Sequence, residues 1–163
     1  MASIARWSLL LLALLCVLPT LTTSKYVGKP FIIRGRVYCD TCRCGFETNK
    51  TTYIPGAMVA IKCYDRKTMD LKYSDTAVTN EHGRYEITVQ DDHEDQLCRT
   101  VLVSSPWGYC KVPDSGRCNS EVILTRSNGA VSNLHFANAM GFYKDEAEEG
   151  CKELVHQLLY ADF

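Results

Sequence analysis

The chain has 163 residues, 46% of them hydrophobic and 23% charged, with 18 lysines and arginines against 19 aspartates and glutamates. This length fits one domain with a modest core. The near-neutral charge and the scattered basic residues give no reason to expect a nucleic-acid partner, and they argue against a polybasic membrane surface.

The first 24 residues predict a secretory signal peptide. They begin with one positive charge, continue with an uninterrupted apolar run over residues 7–18, and end in a short polar stretch at Ser24. A membrane anchor is the alternative, but the run is too short to span about 30 Å of hydrocarbon. We therefore expect cleavage near Ser24, a secreted domain over residues 25–163, and no membrane span.

The mature part is predicted to be all-β, because short stretches alternate apolar and polar residues with a period of two. The clearest of them follows a turn signal at Asn80–Gly83 and contains Tyr85, Ile87 and Val89. In the first strand, Tyr38 and Asp40 occupy the polar positions. The predicted strands are residues 31–40, 57–63, 71–73, 85–89, 99–104, 121–125 and 131–137.

The segments between the strands also carry signals. Residues 49–55 and 105–120 are predicted to be irregular, and Asn128-Gly129 predicts a hairpin between the last two strands. Apolar residues then recur with helical spacing in a short amphipathic helix that begins near Asp145, although Gly150 weakens its first turn. About seven strands in one domain predict a β-sandwich or a closed barrel.

The cysteines indicate an oxidising compartment. One of the nine lies in the signal peptide, so eight remain, and an even number in a secreted chain is typical of a disulfide framework. Eight cysteines allow 105 pairings, so their spacing alone leaves the connectivity open. They are Cys39, Cys42, Cys44, Cys63, Cys98, Cys110, Cys118 and Cys151.

Three of these cysteines fall within Tyr38–Gly45, and the cluster admits three interpretations. A zinc site would need a fourth ligand. A redox pair made of Cys39 and Cys42 would normally open a helix after a strand. In the third interpretation each cysteine pairs with a distant partner, and the signal peptide favours this one.

The chain contains one Asn-X-Ser/Thr sequon, at Asn49-Lys50-Thr51. In a secreted protein such a sequon accepts an N-linked glycan when it lies on an exposed loop. Since the surrounding residues are polar and turn-rich, we predict that Asn49 is glycosylated.

The segment Gly35–Arg43, Gly-Arg-Val-Tyr-Cys-Asp-Thr-Cys-Arg, resembles the signature of the pollen Ole e I family. The likeness covers nearly the whole mature chain. Further matching features are Ile54–Ala57, Val78-Thr79, Gly83–Tyr85, Gly141-Phe142 and the positions of Cys63, Cys98, Cys110 and Cys151.

The resemblance implies a seven-stranded antiparallel β-barrel or sandwich, stapled by disulfides. It also implies that Cys39 pairs with Cys110, Cys42 with Cys151, and Cys63 with Cys98. The chain departs from this six-cysteine pattern at Cys44 and Cys118. We expect these two to form a fourth bridge; two free thiols or an intermolecular link are the alternatives.

No residue pattern indicates an active site. The four histidines, predicted to lie on the surface, do not adjoin a Ser or Cys in a nucleophile motif. The acidic run at residues 91–95 lacks the spaced ligands of a calcium loop. We therefore expect no catalytic residue, no metal and no cofactor. Five aromatic residues could line a carbohydrate groove, although core or hairpin packing is their more usual role: Tyr38, Tyr53, Tyr64, Trp107 and Tyr109.

The resemblance implies a secreted, non-catalytic plant glycoprotein of the pollen or cell-wall space, with a cell-surface receptor or a cell-wall component as its partner, and allergenicity if it is expressed in pollen. A carbohydrate- or cell-wall-binding module is the alternative. A secreted hydrolase or thiol oxidoreductase is a third hypothesis, because fold alone does not determine function.

Overall fold

The computed structural model describes residues 28–160, so the predicted signal peptide and its cleavage site lie outside the described residues. Residues 28–160 form ten β-strands and one α-helix, where the sequence predicted seven strands. The elements are β1 (Phe31–Asp40), β2 (Thr52–Tyr53), β3 (Met58–Asp65), β4 (Leu71–Val78), β5 (Arg84–Val89), β6 (Gln96–Ser104), β7 (Cys110–Pro113), β8 (Asn119–Val122), β9 (Leu134–Phe136), β10 (Met140–Lys144) and α1 (Cys151–Tyr160).

The strands form two sheets, and β1 is the central strand of the first. The first half of β1 pairs with β5 and β9, and its second half pairs with β2 and β10, to which β7 is joined. The second sheet has the order β4-β3-β6-β8 and is antiparallel throughout. The sandwich prediction is confirmed, and the described strands close no barrel.

The implied all-antiparallel arrangement is wrong for two strands, because β9 and β10 run parallel to β1. Parallel neighbours need a long crossover connection, and here the whole second sheet intervenes in the chain. The predicted hairpin at Asn128-Gly129 is also wrong, because the two strands that flank it do not pair with each other. Gly129 does have a positive φ of 78°, but β8 before it and β9 after it belong to different sheets.

The other differences occur where the sequence pattern is weak. Strands β2 and β7 lie in segments predicted to be irregular, and all their residues are exposed except Cys110, so they lack a buried face that alternation would reveal. Strand β10 was missed as well. The helix begins at Cys151 rather than near Asp145, because Gly150 has a φ of 75°, which ends any helical continuation from before it.

One core fills the space between the sheets. Strand β5 alternates buried and exposed residues as predicted, and Phe31 and Ile33 of β1 do the same. The second half of β1 differs from the prediction, because Tyr38 and Asp40 are buried as well. The largest fully buried side chains include Tyr38, Phe31, Phe142, Ile33, Ile54, Ile61 and Met140.

Two glycines allow tyrosine rings to cross a neighbouring strand. Gly35 of β1 lies directly opposite Tyr85 of β5, and a Cβ built on Gly35 would collide with the Tyr85 hydroxyl. Gly141 lies opposite Tyr38, and a Cβ there would be 2.7 Å from Tyr38 Cζ. Burial raises the pKa of Tyr85 to about 12, because the phenolate would have to form within the core.

We predict that Gly35→Ala lowers the free energy of unfolding by about 1–3 kcal/mol, because the added methyl group overpacks the site that the Tyr85 ring occupies. Urea unfolding followed by tyrosine and tryptophan fluorescence measures the change. Gly108→Ala is the control, since a Cβ at Gly108 meets no heavy atom within 4 Å. Equal stability of the two variants would contradict the packing argument.

Candidate functional site

The segment Cys39–Gly45, which we call the signature loop, leaves the end of β1 and is anchored by two disulfides. Cys39 is bonded to Cys110 at the start of β7, and Cys42 is bonded to Cys151 at the start of the helix. The structure thus contains both bridges that the family resemblance implies for this loop. It also contains the third, Cys63–Cys98, between directly opposed positions of β3 and β6.

The bridges determine what Cys39 and Cys42 can do. A redox pair cycles when its two sulfurs bond to each other. In this structure each of the two sulfurs is bonded to a distant partner instead. Both residues are buried, at 0% and 7% exposure, which leaves little access for a dithiol substrate. The geometry of the signature loop is that of a structural staple.

A buried carboxylate shapes the signature loop from within. Asp40 is 1% exposed, and its two oxygens accept backbone N–H groups from Cys42 at 3.1 Å and from Gly45 at 2.7 Å. Arg43 has a positive φ of 54°, and its Nη1 donates to the carbonyl oxygens of Lys144 at 2.6 Å and Asp145 at 3.1 Å. The Asp40 contacts hold the signature loop in its bent conformation, and the Arg43 contacts join it to the end of β10.

The expected fourth bridge is absent, since Cys44 and Cys118 are free cysteines. Each sulfur faces its own loop: Cys44 Sγ is 3.5 Å from the carbonyl oxygen of Phe46, and Cys118 Sγ is 3.7 Å from that of Ser115. The two loops are still neighbours, because Arg117 Nε, next to Cys118, donates to the carbonyl oxygen of Gly45 at 3.2 Å. Burial raises the pKa of the Cys44 thiol.

The sequon lies in an exposed turn between β1 and β2, in agreement with the loop expected there. Asn49 is exposed, and the turn is closed by hydrogen bonds from Thr51 N to the Thr48 carbonyl oxygen at 3.1 Å and from Thr48 N to Thr51 Oγ1 at 2.8 Å. Nothing in this geometry hinders access to the asparagine. The glycan itself stays a prediction.

The prediction that all four histidines lie on the surface is wrong for two of them. His93 is 6% exposed, with Nδ1 3.0 Å from Gln96 Oε1 and its ring 5.1 Å from that of Tyr73. His135 is partly buried against Phe31, with the ring centroids 5.4 Å apart. His93 lies in the acidic run at residues 91–95, and His135 lies in the predicted strand over residues 131–137. Neither sequence context indicates that the ring turns inward.

His93 also lies near the third bridge. Its ring nitrogen and the sulfurs of Cys63 and Cys98 are within 4.8 Å of one another, a spacing that suits a metal ion. The two sulfurs are bonded to each other, however, and a metal ligand requires the thiolate. The cluster is therefore a disulfide with a histidine packed against it.

The five aromatic residues considered for a carbohydrate groove are not brought together. Tyr38 is in the core, Tyr64 lies under Arg99, and Tyr53 lies under Arg36. Trp107 and Tyr109 do stack, with centroids 5.5 Å apart and planes inclined by 20°. This pair, which we call the aromatic shelf, lines a shallow cavity of about 370 Å³ together with Thr41, Thr52, Lys144 and Glu148.

A second and larger depression, of about 770 Å³, lies on the outer face of β1 and β5, where Arg34, Arg36 and Arg84 line it. We call it the arginine groove. Its remaining walls include Val78 and Phe136, which are 58% and 73% exposed. The arginine groove therefore combines positive charge with exposed apolar surface.

The three arginines differ in their pairing. Arg34 Nε forms an ion pair with Glu86 Oε2 at 2.7 Å. Arg36 Nη1 donates to the Tyr53 hydroxyl at 3.1 Å, and its guanidinium lies 5.1 Å from the centroid of that ring. The Arg84 side chain makes no hydrogen bond or ion pair with any residue in the range 28–160. Among the described residues, Arg84 is therefore the groove arginine whose guanidinium has no polar partner.

The arginine groove was not predicted from the sequence. Arg34 and Arg36 occupy polar positions of one predicted strand and Glu86 a polar position of another, whereas Arg84 lies just before that second predicted strand. The composition of the outer face depends on the register between β1 and β5, which the sequence does not give. The described residues that line the groove include no serine, cysteine or histidine.

No helix within residues 28–160 has the length and apolar character needed to cross a membrane.

Comparisons with known proteins agree on one family. A family model described as pollen protein Ole e 1 like matches residues 29–159. The chain is 51% identical over 149 residues to Protein DOWNSTREAM OF FLC of Arabidopsis thaliana, covering 91% of each chain. It is 40% identical over 145 residues to Pollen-specific protein C13 of Zea mays, covering 88% of this chain and 85% of the maize protein. The crystal structure of the major plantain pollen allergen Pla l 1 matches 75% of this chain and 99% of its own, with a TM-score of 0.68 and 25% identity.

We predict that the protein contains two titratable thiols when it is denatured without reductant, because Cys44 and Cys118 are free. In native Cys118→Ser, alkylation of Cys44 at neutral pH should be slower than that of a short cysteine peptide, since its raised pKa lowers the thiolate fraction. Mass spectrometry after iodoacetamide treatment measures the number of thiols in the denatured protein and the rate of Cys44 alkylation in the native variant. A count of zero would instead support the fourth bridge.

Proposed function

Because the chain belongs to the Ole e 1-like family of pollen proteins, we propose that it is a secreted, non-catalytic plant glycoprotein that acts by binding a partner at the cell surface or in the cell wall. The observation that carries the proposal is the arginine groove, an open cationic depression of about 770 Å³ on a scaffold held by three disulfides. A rigid surface with an incompletely paired charge is suited to recognition.

Secretion is supported by two features of the chain. Disulfides persist in oxidising compartments, and three of them occur in this small domain. The leader over residues 1–24 has the order of regions found in a signal peptide. The partner is then a receptor at the cell surface or a component of the wall, which are the surfaces that a secreted plant protein meets.

The non-catalytic part of the proposal is supported by the role of one buried carboxylate. Both carboxylate oxygens of Asp40 accept backbone N–H groups, so the residue is committed to holding the signature loop. Asp114 differs from Asp40, because its Oδ1 accepts the backbone N–H of Gly116 at 2.9 Å while its buried Oδ2 has no hydrogen-bond partner among the described residues. A catalytic carboxylate would instead lie in a cleft within reach of substrate.

Allergenicity is proposed on the relatives alone. The plantain protein with the matching fold is a major pollen allergen, and the maize relative is pollen-specific. If this chain is expressed in pollen, we propose that it acts as an allergen, as the plantain protein does.

A carbohydrate- or cell-wall-binding module is the second candidate, and the aromatic shelf favours it. Tyr109 is 51% exposed and Trp107 stacks on it, so the pair presents ring surface beside Thr52, Lys144 and Glu148. The cavity is shallow, however, and Trp107 also packs against the core. The shelf is therefore the weaker of the two surfaces.

We predict that the immobilised, glycosylated protein captures a specific partner from plant cell-surface extracts, and that salt releases it because exposed charges contribute to binding. Tyr109→Ala tests the shelf, and reduced, alkylated protein is the control for non-specific capture. A glycan array run with the same proteins distinguishes the candidates. Array binding that is lost in Tyr109→Ala would favour the carbohydrate module over the receptor-binding protein.

We predict that the protein secreted from plant cells carries an N-linked glycan on Asn49, because the sequon lies in an exposed turn. Mass spectrometry of the peptide that contains Asn49, before and after enzymatic deglycosylation, measures the occupancy. Thr51→Ala removes the sequon while keeping the asparagine and is the matched control. An Asn49 peptide found entirely unmodified would refute the prediction.

A further inference from the structure

We propose that the arginine groove binds an acidic peptide segment of the partner protein, in which carboxylate side chains flank an apolar one. The inference rests on the proposed function and specifies its site and the chemistry of its ligand. Four observations support it: the charge of the groove, the register of its arginines, the partners of each guanidinium, and the exposed apolar walls.

The charge of the arginine groove stands out from the rest of the chain. Three arginines and one glutamate among its lining residues give it a formal charge of +2, whereas the whole chain has −1 at pH 7. A cationic depression in a slightly acidic protein concentrates anions at one place on the surface. The ligand that fits it carries negative charge.

The register of β1 and β5 brings two of the positive charges together. Arg36 and Arg84 are directly opposed, so their side chains project from the same face of the sheet. Like charges in this position destabilise a sheet, whereas two residues along the strand, on the same face, Arg34 is opposed to Glu86 and forms an ion pair. An anion between Arg36 and Arg84 would remove the repulsion.

The surroundings of the two guanidinium groups leave room for that anion. Arg36 is positioned by Tyr53, whose hydroxyl donates in turn to Glu47 Oε1 at 2.9 Å. Arg36 is therefore linked to the Glu47 carboxylate through the tyrosine and forms no ion pair with it among the described contacts. Arg84 has no side-chain partner among the described residues. A guanidinium recognises a carboxylate through two parallel N–H···O bonds, and an aspartate or glutamate of the ligand supplies that group.

The apolar walls distinguish between acidic ligands. Phe136 of β9 lies opposite Arg34 of β1 and is 73% exposed, and Val78 at the end of β4 is 58% exposed. A uronic-acid polymer carries carboxylates but no large apolar side chain. A peptide that alternates acidic and apolar residues offers both, and aromatic and arginine side chains are the anchors most frequent at protein interfaces. The observations therefore favour the peptide.

The test uses the full secreted protein and a fluorescently labelled ten-residue peptide that alternates glutamate and phenylalanine, followed by fluorescence anisotropy at two salt concentrations. We expect saturable binding that weakens with salt, and a Kd at least about tenfold higher for Arg84→Glu, because a charge-assisted contact is lost. Arg66→Glu, an exposed position on the turn between β3 and β4, makes the same charge change outside the groove and should leave the Kd unchanged.

A second readout separates binding from folding. Arg84→Glu places an opposite charge across from Arg36, so its thermal stability should equal or exceed that of the wild type even as peptide binding falls. A loss of binding accompanied by a lower Tm would assign Arg84 a structural role and overturn the inference. A peptide in which alanine replaces phenylalanine should bind more weakly, since the apolar walls lose their ligand. If the alanine peptide binds as tightly as the phenylalanine peptide, the proposal that the apolar walls contact the ligand is overturned.

An oligomer of galacturonate matched in charge is the third probe. If it binds as tightly as the peptide and is equally sensitive to Arg84→Glu, the groove recognises an acidic polysaccharide and the peptide assignment is wrong. The proposed function is judged separately, by capture from cell-surface extracts. Capture by both the wild type and Arg84→Glu retains the function but rejects the groove, whereas no capture by the wild type rejects the function itself.

Discussion

The fold depends on where β1 is held, because four other strands are hydrogen-bonded to it. The end of β1 is held covalently: Cys39 is bonded to β7, and Cys42, three residues further, is bonded to the helix. These bridges span 71 and 109 residues, and closing loops of that length strongly restricts the unfolded chain. Once this end is held, the second half of β1 positions β2 and β10, and the first half positions β5 and β9.

This arrangement gives the residues of the family signature a physical meaning. Gly35 makes room for the Tyr85 ring, Val37 is in the core, and Asp40 folds the loop that carries Cys42. Each of these roles is structural. Arg34 and Arg36 lie on the opposite face of the strand from Gly35 and Val37, where a period of two places the outward residues. The signature therefore combines scaffold positions with one position, Arg36, that lines the arginine groove, and function has to be argued from the outward positions.

The same distinction explains how much of the molecule could be predicted. Alternation revealed the elements with one buried face, as in β5, and the resemblance supplied the disulfide partners of Cys39 and Cys42. Alternation did not reveal β10, whose first three residues are all buried, or the burial of Tyr38 and Asp40. The arginine groove depends on register, and a shift of one residue between β1 and β5 would have moved Arg84 away from its position opposite Arg36. Register is a tertiary property that a single sequence does not display.

The arginine groove and the disulfides are also linked through free energy. Opposed like charges cost stability, and a domain of this size has a total margin of only about 5–15 kcal/mol. A disulfide typically contributes about 2–4 kcal/mol by restricting the unfolded chain. A scaffold stapled three times can therefore carry the repulsion between Arg36 and Arg84 on its outer face, in the way that binding sites are often less stable than the fold that supports them. If the groove binds a partner as proposed, the cysteines contribute to that binding without touching the ligand, because they set both the position of β1 and the stability of the fold that carries Arg84, whose side chain has no partner within residues 28–160.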